Sequence, residues 1–192
     1  SLLGANIEDN TSGNSSGDIE EGFGVSESGD GYSKVYVTAN GRRFKEYKQF
    51  LGSYAYSPFA GGTMKSSGCS ATSVAVVLSG YGIDATPEDI RKLGNSGGIP
   101  VAGTLQDYGL TAVDTGSPVT AEELLNHLNT GNVAIINAGH GYWSNSSGHY
   151  FVALEAKGNQ VYVSNVGDNQ DTGWYPVDKV LEDNKKVIYV SE

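Results

Sequence analysis

The order of helix and strand signals is the feature that most constrains the fold of this chain. Three helix signals occur before Gly131, and almost every segment after it has strand character: NVAIINA, HYFVALEA, NQVYVSNV, GWYPV and KKVIYVSE, with a short helical PVDKVLED before the last. The strand segments are short and separated by Gly, Asn and Asp, which favours consecutive antiparallel strands. Helices followed by strands indicate an α+β fold with helices packed on one face of an antiparallel sheet.

The helices and an upstream hairpin have clear local signals. SSGCSATSVAVVLSGYG predicts a central helix ending near Gly80, TPEDIRKLG predicts a second, and a capping box of Thr120 and Glu123 begins a third. SKVYVTANGRRFKEY alternates apolar and polar residues on either side of Asn40-Gly41, a dipeptide that tolerates a type I′ turn. The central helix can bury one face formed by four apolar residues: Ala71, Val74, Val77 and Leu78.

The first 31 residues differ in composition from the rest of the chain. They hold seven acidic residues and no basic one, and they are rich in Ser, Gly and Asn. Such a stretch is typical of a spacer beside a secretion signal or wall anchor. We therefore predict a leader or linker over 1–31 and one folded domain over 32–192, in a secreted or cell-surface bacterial protein. A pro-segment role for the leader remains open.

Charge and hydropathy exclude several classes of partner. The net charge of −10 argues against nucleic acid and anionic membranes, because both need clustered Lys and Arg. No apolar run approaches the ~20 residues of a membrane span. One cysteine and three histidines without ligand spacing predict no metal site, and no cofactor is expected. We expect a monomer.

The single cysteine, Cys69, lies at the predicted start of the central helix. The positive end of the helix dipole and the unpaired backbone N–H groups there favour thiolate over thiol. The alternative is a small buried apolar side chain, the usual environment of a free cysteine. Composition alone leaves these two interpretations open.

A thiolate nucleophile needs a general base, and His149 is the best candidate of the three histidines. His149 follows SNSSG and begins the strand HYFVALEA, whereas His127 lies near a helix C-terminus, where a base is structurally favourable, and His140 lies in the loop AGHGYW. Pairing of HYFVALEA with NQVYVSNV about Gly158-Asn159 brings Asn165 beside His149, if the register is centred on residue 157. Asp168 is a rival partner for the histidine, although turn formation explains it equally well.

Three separated motifs resemble the papain-like cysteine peptidases of the C39-like type: SGCSATSVAVVLSGYG, TPEDI and SSGHYFVALEAKGNQVYVSN. The resemblance implies a papain-like fold whose central helix carries the cysteine. It implies Cys69 as nucleophile, His149 as base and Asn165 as the residue that orients the histidine. It also implies that Gln49 donates to the oxyanion hole. The chain departs from the family at Ser70-Ala71, where Gly-Pro is usual, and at Asn165-Val166, where Asp-Pro is more common.

These residues predict a thiol-dependent peptidase that hydrolyses peptide or protein substrates through a Cys-His-Asn triad. Two alternatives remain: a cell-wall amidase or acyltransferase on the same fold, because a triad determines the chemistry and a groove the substrate, and a non-catalytic peptide-binding module.

Overall fold

The computed structural model describes residues 19–21 and 29–192. The described residues form two compact units, one within 1–99 and the other within 100–192. The predicted boundary between a leader at 1–31 and a domain at 32–192 stays a prediction, since most of the leader, and with it any pro-segment role, lies outside the described residues. No helix in the described part of the chain has the length and hydropathy needed to cross a membrane.

The first unit begins with a three-stranded antiparallel sheet of β1 (Ile19–Glu21), β2 (Lys34–Val37) and β3 (Arg43–Lys45), in that order. The predicted hairpin is confirmed, with Tyr36 opposite Phe44. Its turn is not type I′, because only Gly41 of the Asn-Gly pair has a positive φ, at 89°. The amide of Gly41 donates to the carbonyl of Thr38, which is the pattern of a longer loop with one left-handed glycine.

A two-stranded ladder and three helices complete the first unit: β4 (Pro58–Phe59), β5 (Gly62–Thr63), α1 (Met64–Ser67), α2 (Cys69–Gly80) and α3 (Pro87–Arg91). The predicted central helix is α2, and all four residues of its apolar face are buried. Burial extends around almost the whole helix, as expected of a core helix. The second predicted helix is α3, which is capped by Thr86 with Pro87 at its first position.

The second unit contains α4 (Val101–Asp107), β6 (Thr111–Asp114), α5 (Ala121–Leu128), β7 (Ala134–Ala138), β8 (His149–Lys157), β9 (Gln160–Ser164), β10 (Gly173–Pro176), α6 (Val177–Val180) and β11 (Asn184–Ser191). Its six strands form one antiparallel sheet in the order β10-β9-β8-β7-β11-β6. The capping box that begins α5 and the short helix α6 confirm the sequence predictions. The final strand, however, pairs with β7 and β6 instead of following β10, and sequence patterns did not reveal α4 or β6.

The predicted β8–β9 register is wrong. The two-residue turn at Gly158-Asn159 forms as expected, but it pairs Lys157 with Gln160 and so centres the ladder between residues 158 and 159. An irregularity between Ala153 and Glu155 then shifts the register, so that Val152 lies opposite Ser164. Continuing this register to the start of β8 places residue 167, rather than Asn165, opposite His149.

The core of the second unit lies between the sheet and helices α5 and α6. Apolar side chains from β7, β8, β9 and β11 pack with Leu124 and Leu128 of α5 and with Val177 and Val180 of α6. Trp143, from the loop before β8, is fully buried in the same cluster and stacks on Phe151 with 4.5 Å between ring centroids. This packing supports the start of β8, where His149 is located.

Candidate active site

Cys69 is the first residue of α2, as the sequence predicts, and it is partly exposed. Gly68 occupies the N-cap position without any side-chain capping bond, and the first turn contains no acidic residue. The backbone N–H groups at the start of α2 are therefore not satisfied by a side-chain cap. This environment favours the thiolate form of a cysteine.

The glycine before Cys69 is required by close packing. A Cβ at Gly68 would lie 2.5 Å from the carbonyl oxygen of Met64 and 2.8 Å from its sulfur. Because α1 ends immediately before α2 begins, only a residue without a side chain fits between the two helices at this point. Gly68 therefore allows α2 to begin at Cys69 immediately after α1 ends.

Gln49 is buried and bonded to the helical turn that precedes Cys69. Its Nε2 donates to the carbonyl oxygen of Lys65 in α1 at 2.9 Å, and only 7% of the residue is exposed. Its Oε1 is buried without a hydrogen-bond partner among the described residues. A carboxamide nitrogen has two N–H groups, and the bond to Lys65 uses one of them. The oxyanion-hole role of Gln49 stays a prediction.

His149 begins β8, where its side chain is paired with that of Asn165. Nε2 of His149 lies 2.7 Å from Oδ1 of Asn165. Burial lowers the pKa of His149 from its usual 6.5, while the bond to Asn165 and the charge of Asp168 act in the opposite direction. Burial therefore favours the uncharged ring, which is the form that a general base must have.

Backbone groups determine the orientation of the Asn165 side chain, which is completely buried. The amide of Gly167 donates to Oδ1 at 3.1 Å, and Nδ2 donates to the carbonyl oxygen of Gln170 at 2.9 Å. A backbone N–H can only donate and a carbonyl can only accept, so the two ends of the amide are distinguished. Oδ1 therefore accepts from His149, Nε2 carries the proton, and Nδ1 is left as the basic nitrogen.

Gly167 makes room for the histidine ring. A Cβ at this position would lie 3.0 Å from Cε1 and 3.3 Å from Nε2 of His149. The space left by this glycine lies beside the ring that Asn165 contacts, just beyond the end of β9. The Asn-x-Gly sequence in NVGDN was the signal for this arrangement, which sequence reasoning missed.

The other two histidines do not share this environment. Nε2 of His127 donates to the carbonyl oxygens of Val133 and Val190, at 2.9 and 3.1 Å, so His127 joins α5 to the sheet. His140 is exposed in the loop after β7. Asp168, the rival partner for His149, is also exposed and affects the histidine only through its charge.

The predicted site residues fall into two groups, His149 with Asn165 and Gln49 with the turn that precedes Cys69. His149 and Asn165 are in direct contact within the second unit, and Gln49 is bonded to the turn before Cys69 within the first. Their catalytic roles stay predictions. Across residues 19–21 and 29–192, no group of three or more His, Cys, Asp or Glu side chains is arranged to bind a metal ion.

Comparison with known proteins identifies the family. The model of the Peptidase_C39 like family matches residues 42–189. The fold is similar to that of the peptidase domain of Streptococcus ComA, a bifunctional ABC transporter involved in quorum sensing, with 15% identity, a TM-score of 0.52, and coverage of 66% of this chain and 92% of that one.

A C39-like peptidase structure from Bacillus anthracis is also similar, with 17% identity, a TM-score of 0.50, and coverage of 65% of this chain and 89% of that one. No curated protein matches significantly. These likenesses agree with the papain-like α+β fold predicted from the sequence. Since the family model covers most of the chain, the protein belongs to the Peptidase_C39 like family.

Proposed function

We propose that this protein is a thiol-dependent peptidase with Cys69 as nucleophile, His149 as general base and Asn165 as the residue that orients the base. The observation that carries the proposal is the 2.7 Å contact between His149 and Asn165, in which the amide orientation leaves Nδ1 of the histidine free of its proton. A neutral imidazole in this tautomer is the form that a cysteine peptidase requires of its base.

In the proposed reaction, His149 Nδ1 accepts the proton of the Cys69 thiol, and the sulfur attacks the carbonyl carbon of the scissile bond. The carbonyl oxygen becomes negative, and it is stabilised by the backbone N–H of Cys69 and by Nε2 of Gln49. The imidazolium then gives its proton to the leaving amine, which produces a thioester. Water, deprotonated by His149, hydrolyses the thioester and restores the thiol.

A peptide is the proposed substrate because the family is one of peptidases, and because the Streptococcus relative is described as a peptidase domain. The same chemistry at a different amide would make the protein an amidase or acyltransferase. Secretion or display at a bacterial cell surface is part of the proposal, and it rests on the composition of residues 1–31.

The proposal is tested by the rate at which iodoacetamide alkylates Cys69 at about pH 6, where an unactivated thiol reacts slowly. We expect the wild-type protein to react more than about tenfold faster than glutathione. His149→Ala should remove that advantage. The exposed histidine supplies the matched control, and His140→Ala should react at the wild-type rate.

Two outcomes contradict the proposal. If the wild-type protein reacts at a rate similar to that of glutathione, the thiol is not activated. If His149→Ala reacts as fast as the wild-type protein, His149 is not the base. A peptide library and cell-wall fragments, assayed with the wild-type protein and Cys69→Ala, then distinguish peptidase from amidase activity. Rapid alkylation without hydrolysis of any peptide would overturn the peptidase assignment.

A further inference from the structure

Asn169 connects the loop that precedes His149 with the loop that contains Asn165. One loop joins β7 to β8 and contains Trp143; the other joins β9 to β10 and contains both asparagines. Nδ2 of Asn169 donates to the carbonyl oxygen of Trp143 at 2.5 Å, and its Oδ1 accepts from Nδ2 of Asn165 at 3.2 Å. One side chain therefore contacts the orienting residue and also holds the loop that leads into His149.

The bond from Asn169 to Trp143 imposes the same amide direction on Asn165 as its backbone partners Gly167 and Gln170 do. The carbonyl of Trp143 can only accept a hydrogen bond, so Asn169 must present its nitrogen to Trp143 and its oxygen to Asn165. Asn165 must then present its own nitrogen to Asn169 and its oxygen to His149. The chain of donors and acceptors runs in one direction, and it ends at the proton on Nε2 of His149.

Packing reinforces the same connection. The ring of Trp143 stacks on Phe151, and Phe151 in turn stacks on His149 with 6.1 Å between ring centroids. The indole Nε1 donates to the carbonyl oxygen of Lys179 at 2.7 Å, which fixes the tryptophan from its other side. A displacement of the Trp143 backbone would therefore move His149 through Phe151 as well as through the side-chain amides of Asn169 and Asn165.

We propose that Asn169 is a positioning residue, which adds to the backbone bonds of Asn165 and through that residue helps to hold His149 in the tautomer that carries its proton on Nε2. This inference rests on the proposed function, because it assigns a role in the same His149–Asn165 pair. Asn169 would not contact the substrate; its effect is on the fraction of His149 that is ready to accept a proton at Nδ1.

Three variants test the inference. Asn169→Ala removes both bonds, Asn169→Asp keeps an acceptor for Asn165 but loses the donor to Trp143, and Tyr175→Phe is the control. Tyr175 donates to the carbonyl oxygen of Asp171 at 2.6 Å, so Tyr175→Phe removes a bond from the same loop but keeps the ring that packs against Trp143. The readouts are ¹⁵N NMR of the His149 ring, which distinguishes the two neutral tautomers, and the pH profile of Cys69 alkylation.

We expect Asn169→Ala to lower the Nε2–H tautomer fraction and to slow alkylation about tenfold, because it removes buried hydrogen bonds that support an active group. Asn169→Asp should keep the tautomer, and its added negative charge should shift the acidic limb of the profile to higher pH. Tyr175→Phe should match the wild-type protein in both readouts.

An unchanged tautomer in a folded Asn169→Ala variant would overturn the inference. Equal losses of alkylation rate in Asn169→Ala and Asn169→Asp would also overturn it, because they would indicate a purely structural link between the loops. If Asn169→Ala does not fold, Asn169→Asp decides the question, because an altered tautomer there contradicts the proposal. Failure of the proposed function has a separate signature: wild-type alkylation that does not depend on His149, whatever the tautomer.

Discussion

At the scale of single residues, the contact between His149 and Asn165 forms beyond a shift in the register of β8 and β9. His149 could be selected because it begins a strand after a glycine, and Asn165 because it follows the next strand. No sequence signal marked the register shift near Leu154, which inserts an extra residue into β8. Asn165 contacts His149 beside Gly167, and the register expected from the sequence did not take account of this glycine.

Gly167 provides a residue-scale test of how closely the histidine ring must be held. Gly167→Ala places a methyl group 3.0 Å from Cε1 of His149, which forces the ring or the loop to move by a few tenths of an ångström. We expect Cys69 alkylation to slow about tenfold, because catalytic groups lose activity with small displacements. Rate measurements at about pH 6 check this, with circular dichroism to confirm folding. Wild-type reactivity would show that the site tolerates the shift.

The buried histidines predict how stability depends on pH. Burial lowers the pKa of both His127 and His149 below 6.5, so the unfolded chain binds more protons than the folded one in acid. The stabilising effect is present above pH 6.5 and is lost as the pH falls through the folded-state pKa values. Urea titrations should show a declining free energy of unfolding below pH 6.5, with a shallower decline in His127→Gln. An equal slope in that variant would contradict the assignment.

At the scale of elements, helix α2 shows how tertiary packing overrides helix propensity. Its last residue, Gly80, has no space for a side chain, because a Cβ would overlap the buried ring of Phe44 in β3. The amide of Lys45 also donates to Oγ of Ser79, so the helix end and the hairpin are joined at two points. A glycine that reads as a helix stop in the sequence is therefore a contact site in the structure.

Gly80→Ala should destabilise the protein even though alanine is the better helix former. We expect the free energy of unfolding to fall by about 1–3 kcal/mol, the usual cost of overpacking a core. Chemical denaturation measures the change. Restoring space with the double variant Gly80→Ala/Phe44→Leu should recover part of it, and additive losses in the double variant would argue against direct contact between the two positions.

Gly103→Ala should have the opposite effect. This glycine lies inside α4, and its added Cβ would make only ordinary contacts with Pro100, at 3.6 Å. Alanine in a helix interior is about 0.5–1 kcal/mol more favourable than glycine, so the midpoint of urea unfolding should rise. A lower midpoint would mean that α4 needs the freedom of glycine for a reason that packing does not reveal.

At the scale of the whole molecule, sequence predicted the class and the elements better than their arrangement. Turn residues and capping boxes such as Thr120 with Glu123 are local, so helices and strands could be found from short windows. Strand order is not local: β11 lies between β7 and β6, and β6 is a four-residue strand with a single buried residue, Ala112. Such an edge strand leaves too weak an alternation to be recognised before its partner is known.

The monomeric state predicted from the sequence is also tested on the whole chain. A monomer should elute with a mass of 20.2 kDa in size-exclusion chromatography with light scattering. We expect that mass to be independent of protein concentration. A concentration-dependent increase toward twice the value would contradict the prediction.

The strand β1 has a practical consequence for anyone who shortens this protein. Ile19–Glu21 pairs with Lys34–Tyr36 along one side of β2, while β3 occupies the other. A recombinant version that begins at residue 32 would leave that side of β2 as an open edge, with main-chain donors and acceptors available to a neighbouring molecule. The start site chosen for expression would then determine how readily the sample self-associates, and a version that keeps the chain from before residue 19 is the safer choice for crystallisation and assays.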